Sequence, residues 1–192
     1  MPTIRAIAQV GEPILRQPAR EVGAAEIQTP EFQRFVDDLI ATMHHARGAG
    51  LAANQVFEPV RVCVLEVNDN PRYPYKPRIP LTVLINPTLE PLSDQTFANY
   101  EGCLSVPNLR GVVHRHAELR VRALDRHGAP LDFEARGITA GTYAHEVDHL
   151  AGKLFLDRVQ DPTTLCTWDA FSRYHEPAFR EQVLAVVARW GS

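Results

Sequence analysis

Apolar residues recur at helical spacing near the start of the chain. Phe32, Phe35, Val36, Leu39, Ile40 and Met43 follow the 3, 4, 7 period of an amphipathic helix. Thr29 can cap it, Pro30 fits its first position, and Gly48 supplies a stop. His44 and His45 then fall at the helix end as surface residues. Arg61–Val67 reads as a buried strand, and Asn68–Pro80, rich in Pro and polar residues, reads as a loop. Leu81–Asn86 is a second strand. Leu119–Leu124 and Leu131–Glu134 form a hairpin turning at His127-Gly128. A helix follows Gly137–Gly141, and a last amphipathic helix from Glu176-Pro177 groups Phe179, Val183, Leu184, Val187 and Trp190 on one face. Helices at both ends with strands between predict an α+β fold: antiparallel strands and small sheets around a central helix, with N-terminal and C-terminal helices.

Composition narrows the class. A chain of 192 residues fits one domain, residues 1–192, with a sizeable core. At 45% hydrophobic, 22% charged and a net charge of −3, it offers no basic footprint for nucleic acid or anionic membrane. The start is too charged and Pro-broken for a signal peptide, and no apolar run approaches the roughly 18–20 residues of a membrane span. Three cysteines at unrelated spacings argue for a reducing compartment, so cytoplasmic residence is expected. Cys63, in RVCVLEV, and Cys166, in TTLCTWD, read as packing residues.

The central helix carries candidate chemistry. Residues 145–149 read HEVDH, which puts His145 and His149 on one helical face about 5–6 Å apart at their roots. With Glu146 between them, this is the form of a metal site with its own general base. Charged residues on a helix are usually just a solvated face. Here the flanks Tyr143, Ala144, Val147, Leu150 and Ala151 are largely apolar, and burying these side chains without partners would be costly. A catalytic metal usually takes three protein ligands. The metzincin continuation is excluded because Phe155 stands where the third histidine would be. A later glutamate, Glu176 or Glu181, is a weaker option, since both suit the final helix. Cys103, in YEGCLSVP, is the stronger candidate, because a thiolate is a strong soft ligand. Residues 48–55, GAGLAANQ, lack the nucleotide fingerprint; they read either as a turn before a strand or as a segment where an extended substrate docks beside the Gln55 amide.

GAGLAANQ, EGCLS and HEVDH, in this order and spacing, resemble the three signature motifs of the peptide deformylases. GEPILRQPA, VRALDRHGAPLDFEARG and DHLAGKLFLDRV also resemble that family, so the likeness runs from about Gly11 to Val159. The resemblance implies that Cys103, His145 and His149 bind one divalent metal per chain, ferrous iron (Fe2+) in the cell, with Zn2+, Ni2+ or Co2+ able to replace it. It implies that Glu146 serves as the acid–base group. The Gln55 amide and the Leu104 backbone N–H would meet the charge that develops on the formyl oxygen. The backbones of Ala49, Gly50 and Gly102 would pair with the substrate, Glu101 and Arg115 would brace the site, and Arg110 would stand at the cleft. The implied substrates are nascent peptides beginning with N-formylmethionine, with ribosome association possible and neither nucleic-acid specificity nor membrane contact.

The chain departs from the family pattern at Asn54, at Asn108 and in ITAGTYA (residues 138–144). There Gly141, Thr142 and Ala144 are smaller than the aliphatics that line the methionine pocket in relatives, so this pocket is expected to be wider or filled from elsewhere. His114 and His116 read as surface residues. A protease using Glu176 or Glu181, and a non-catalytic homologue with a closed metal site, are the competing readings. The presence of both Glu146 and Gln55 disfavours the second of these.

Overall fold

Thr29 caps the first long helix as its sequence predicts: the hydroxyl accepts from the Phe32 N–H at 3.2 Å, and Pro30 follows at the first helical position. The computed structural model describes residues 1–70 and 72–192. A one-turn helix α1 (Ala24–Ile27) leads into α2 (Pro30–His45), whose Phe32, Phe35, Val36, Leu39 and Met43 are buried. The helix stops differently from expectation. Arg47, with φ of 53°, takes the left-handed position, and the Gly48 N–H returns to the Met43 carbonyl at 2.9 Å. Gly48 therefore follows the turn and does not make it. His44 and His45 are exposed.

Seven strands follow among the described residues: β1 (Gly50–Ala52), β2 (Val62–Val67), β3 (Ile79–Pro91), β4 (Thr96–Cys103), β5 (Val106–His116), β6 (Glu118–Leu124) and β7 (Pro130–Arg136). They form a five-stranded antiparallel sheet in the order β1-β2-β3-β6-β7 and a separate hairpin, β4-β5. The expected strand at Leu81–Asn86 is the middle of the longer β3. Between Ile85 and Thr88 its register shifts, around Asn86 at φ 53°, and this irregularity lets Pro87 sit within the strand. The described part of the Asn68–Pro80 segment is turns and loop up to Ile79, while Pro71 lies outside the described residues. The predicted hairpin forms, with Leu124 opposite Pro130 and Asp125 Oδ1 accepting from the His127 and Ala129 N–H groups.

The helix α3 (Gly137–Leu150) carries HEVDH through the centre of the molecule, packed against strands of both sheets. α2 covers the other face of the large sheet, in a core with Leu51, Val62, Val64 and Ile85. Beyond α3 a short helix α4 (Trp168–Ala170) and a π-turn at Phe171–His175 lead into α5 (Glu176–Trp190), which packs on α3. On α5, Phe179, Val183 and Val186 are buried and Val187 and Trp190 partly so. Leu184 is 70% exposed, a correction to the expected face: it lies one residue, about 100° of helix, from Val183. None of the helices among the described residues is long and apolar enough to cross a membrane.

Gly152 fixes where α3 ends. Its φ is +71°, Lys153 N–H returns to the Asp148 carbonyl at 2.9 Å, and an added Cβ would lie 2.7 Å from the Arg16 carbonyl oxygen. Gly152→Ala is accordingly expected to destabilise the protein by more than about 1 kcal/mol. Thermal unfolding would read this as a midpoint drop of at least about 2–4 °C.

Candidate active site

Alternation along β4 delivers one side of the site. Phe97, Asn99, Glu101 and Cys103 are its buried residues, two apart, so all four face the same way. A register shift between Gly102 and Cys103, then a two-residue turn at Leu104-Ser105, returns the chain into β5. α3 delivers the other side. His145 and His149, one helical turn apart, have ring centroids 5.0 Å apart. One ligand atom from each of Cys103, His145 and His149 lies within 4.8 Å of the others. His149 Nε2 is 3.2 Å from Cys103 Sγ.

An ion-pair chain anchors this cluster. The His145 Nδ1 is 2.8 Å from Glu101 Oε2, and Glu101 takes two hydrogen bonds from Arg115, at 2.8 and 2.9 Å. Arg115 also donates to Asp148 Oδ2 at 2.6 Å, and Asp148 is held in turn by Arg158. Burial alone would raise the Glu101 carboxyl, but Arg115 and His145 together hold it well below the usual carboxylate range. An ionised Glu101 only accepts, so His145 donates to it from Nδ1; burial lowers this imidazole, but Cys103 and Glu101 together raise it well above its ordinary value, so Nε2 would give up its proton to take a cation. Burial, reinforced by the neighbouring His145, pushes His149 well below its ordinary value and keeps it in the neutral, ligating form. One thiol and two imidazoles so disposed fit a soft divalent cation.

Glu146 points across the cluster toward β1. It is 4% exposed, and its Oε2 is buried without a hydrogen-bond partner among the described residues. The backbone of Gly50 lies so close that a Cβ there would sit 2.4 Å from Glu146 Oε1. Burial pushes the carboxyl up to about 7, despite the opposing charges of His145 and Lys76. Gln55 is oriented without ambiguity: its Oε1 accepts from the Ala52 N–H at 2.9 Å, which turns Nε2 toward Ser105 Oγ at 2.9 Å and Cys103 Sγ at 3.5 Å. GAGLAANQ is therefore a short strand running into a 3-10 turn at Ala53–Val56. Asn54 uses its amide on the His149 carbonyl at 2.5 Å.

Ala49, Gly50, Gln55, Gly102, Cys103, Leu104, Arg110, Gly141, Thr142, His145 and Glu146 line one cavity, and His149 closes the cluster behind it. The Ala49 carbonyl is engaged by the Glu66 N–H at 3.0 Å, and Trp168 lies against Gly102. The space beside Gly141 is taken by Phe97 and Asn99. Arg110 is 1% exposed and stacked between Trp168 and Phe171, with its Nη2 on the Tyr100 carbonyl at 2.7 Å. Asn108, at φ 55°, holds a left-handed position that Asn tolerates. His114 is exposed and His116 partly so. Glu176 pairs with Arg180 on α5 and Glu181 is exposed, so neither joins the ligand cluster. Lys76, Tyr73 and Asn99, which also line the cavity, carry no motif and were not signalled by the sequence.

A family model described as polypeptide deformylase matches residues 4–164. The chain belongs to the peptide deformylase family. It is 48% identical over 160 residues to peptide deformylase 2 of Ralstonia nicotianae, an alignment covering 83% of this chain and 89% of the relative. Peptide deformylase 1 of Bordetella pertussis is 42% identical over 160 residues, covering 83% and 90%. Among solved structures, a Met-Ala-Ser-bound class I type b peptide deformylase from Acinetobacter baumannii superposes with a TM-score of 0.79 at 36% identity, over 83% of this chain and all of that one. A Legionella pneumophila peptide deformylase gives 0.73 at 31% identity, over 94% and 98%. This deformylase is thus a metal-dependent hydrolase that removes the formyl group from the N-terminal methionine of nascent peptides. Its fold is the α+β arrangement expected from the sequence.

The raised Glu146 carboxyl has a stability consequence in the metal-free protein. Its folded value lies above the ordinary 4.5, so the fold binds the proton more tightly than the unfolded chain does. The contribution of Glu146 to stability is fully present below that ordinary value and is lost as pH rises through about 7. Between pH ~4.5 and ~8, metal-free wild type should lose about 3 kcal/mol relative to Glu146→Gln, read from urea denaturation of both proteins at the two pH values.

Proposed function

We propose that Cys103, His145 and His149 hold one divalent cation per chain and that Glu146 is the acid–base group for deformylation. The observation that carries this reading is the convergence of the three ligand atoms within 4.8 Å beside a buried carboxyl. A thiolate with two imidazoles suits Fe2+ or Zn2+, and admits Ni2+ or Co2+; we assign Fe2+ as the metal in the cell. When bound, the cation supplies Lewis-acid polarisation and lowers the pKa of water.

The chain's own groups do the rest. Glu146 takes a proton from the water that attacks the formyl carbon, and returns it to the amine nitrogen as the C–N bond breaks. Formate and a free amino terminus leave. The Gln55 amide, already oriented by Ala52, and the Leu104 N–H donate to the oxygen on which negative charge develops. Backbone groups of Ala49, Gly50 and Gly102 pair with the peptide as an added strand. Gly141 and Thr142 border the pocket for the first side chain, and Arg110 stands at the cleft beyond it. Residues 1–192 act as one catalytic domain in the cytoplasm, where nascent chains emerge, and association with the ribosome follows from that substrate. No nucleic-acid specificity and no membrane contact form part of this reading.

Protein purified without oxygen is expected to release formate from an N-formyl-Met peptide with metal bound. Cys103→Ser should come out metal-depleted and inactive. Glu146→Ala should keep its metal and lose activity. Gln55→Ala should lower kcat by roughly 10²–10³. A Cys103→Ser protein with normal metal content and turnover contradicts the ligand assignment.

A further inference from the structure

Lys76 reaches the substrate cavity from the segment between β2 and β3, where its N–H closes a turn onto the Tyr73 carbonyl at 3.0 Å. Its Nζ donates to Thr142 Oγ1 at 2.9 Å, on α3 just before the metal motif. The single hydrogen of that hydroxyl goes to the Ile138 carbonyl at 3.1 Å, so Thr142 can only accept from the ammonium. This is the one hydrogen bond Lys76 Nζ makes among the described residues, and its other close neighbour is the Tyr73 ring, 5.0 Å away at the centroid. An ammonium has three donors, which leaves two for the cavity. Burial lowers Lys76 to about 8, with Glu101 and Glu146 attracting the charge and Arg110 opposing it. Glu101 is already committed to Arg115 and His145.

A second observation points the same way. Arg110 lines the same cavity, is 1% exposed, and has Nε and Nη1 buried without partners among the described residues. The free volume is about 30 Å³, room for roughly two waters at the 10–15 Å³ that each needs. Beside Gly141 and Thr142 the lining therefore carries an ammonium, a hydroxyl and an amide, from Lys76, Thr142 and Asn99, with Tyr73, Tyr100 and Leu104 in the same cavity. A thioether entering here displaces water from the ammonium and returns no hydrogen bond. An oxygen acceptor at the same depth does return one, and a charge-assisted one.

We propose that Lys76 is a specificity-determining residue that extends this deformylase, beyond methionine, to formyl-peptides whose first side chain ends in an oxygen acceptor. Methionine sulfoxide and glutamine present that acceptor at a length close to methionine. The proposal rests on the deformylase reading and deepens it.

The test measures kcat/KM for formate release from N-formyl-Met-Ala-Ser, N-formyl-Met-sulfoxide-Ala-Ser and N-formyl-Gln-Ala-Ser, using metal-loaded wild type, Lys76→Met and Lys76→Arg. The sulfoxide-to-Met and Gln-to-Met ratios should fall at least about tenfold in Lys76→Met, chiefly through KM, and stay within about threefold of wild type in Lys76→Arg. A fall confined to one of the two acceptors also supports the proposal and says which acceptor the pocket reads. Because each ratio is internal to one protein, a general loss of folded enzyme does not move it. If all three proteins cleave the Met peptide and the ratios do not change in Lys76→Met, the proposal is overturned while the deformylase reading stands. If no substrate releases formate from any of them, both fall together.

Discussion

The site depends on one run of charge that starts at His145, passes through buried Glu101, Arg115 and Asp148, and reaches the surface at Arg158. It links α3 to the β4-β5 hairpin, so the helix that carries two of the proposed ligands is tied to the strand that carries the third. A carboxylate buried as deeply as Glu101 is tolerable only because two cations face it, and removal of either would leave an uncompensated charge inside the protein. The same link commits the His145 Nδ1 hydrogen to Glu101 and leaves Nε2 as the nitrogen for a cation.

Around this rigid centre the polar groups are disposed unequally. Glu101 and Asp148 are saturated by arginine, whereas Glu146, adjacent to His145 in sequence, keeps an oxygen without a partner among the described residues and a raised pKa. That contrast separates a bracing carboxylate from one able to exchange a proton near neutral pH. Gly50 makes the contrast possible, because only a residue without a Cβ lets β1 approach the Glu146 carboxyl so closely.

Much of this was legible in the residues. α2 announced itself through a Thr-Pro start and a clean apolar period, and HEVDH through two histidines four apart amid apolar flanks. The β4-β5 hairpin did not, because Gly102, Pro107, Asn108 and Gly111 interrupt its alternation, and its buried positions mix Phe97 and Val113 with Glu101 and Arg115, which pair with each other and with α3. Cys103 could be proposed as a ligand, but its approach to His149 depends on a register shift that no local pattern encodes. Lys76 lay furthest out of reach. It sits in a Pro-rich polar stretch, and its partner Thr142 is 66 residues away, so only the folded chain brings them together. Arg158, ten residues from Asp148, was likewise silent until α3 ended at Gly152 and the chain turned back.

The central claim is that a cysteine from the hairpin completes the histidine pair of α3. X-ray absorption at the zinc edge of the zinc-loaded protein tests it most directly. One sulfur at about 2.3 Å and two imidazole nitrogens at about 2.0–2.1 Å are predicted, with the remaining scatterer a light atom. A shell of nitrogen and oxygen without sulfur would contradict the claim and return the third ligand to a carboxylate.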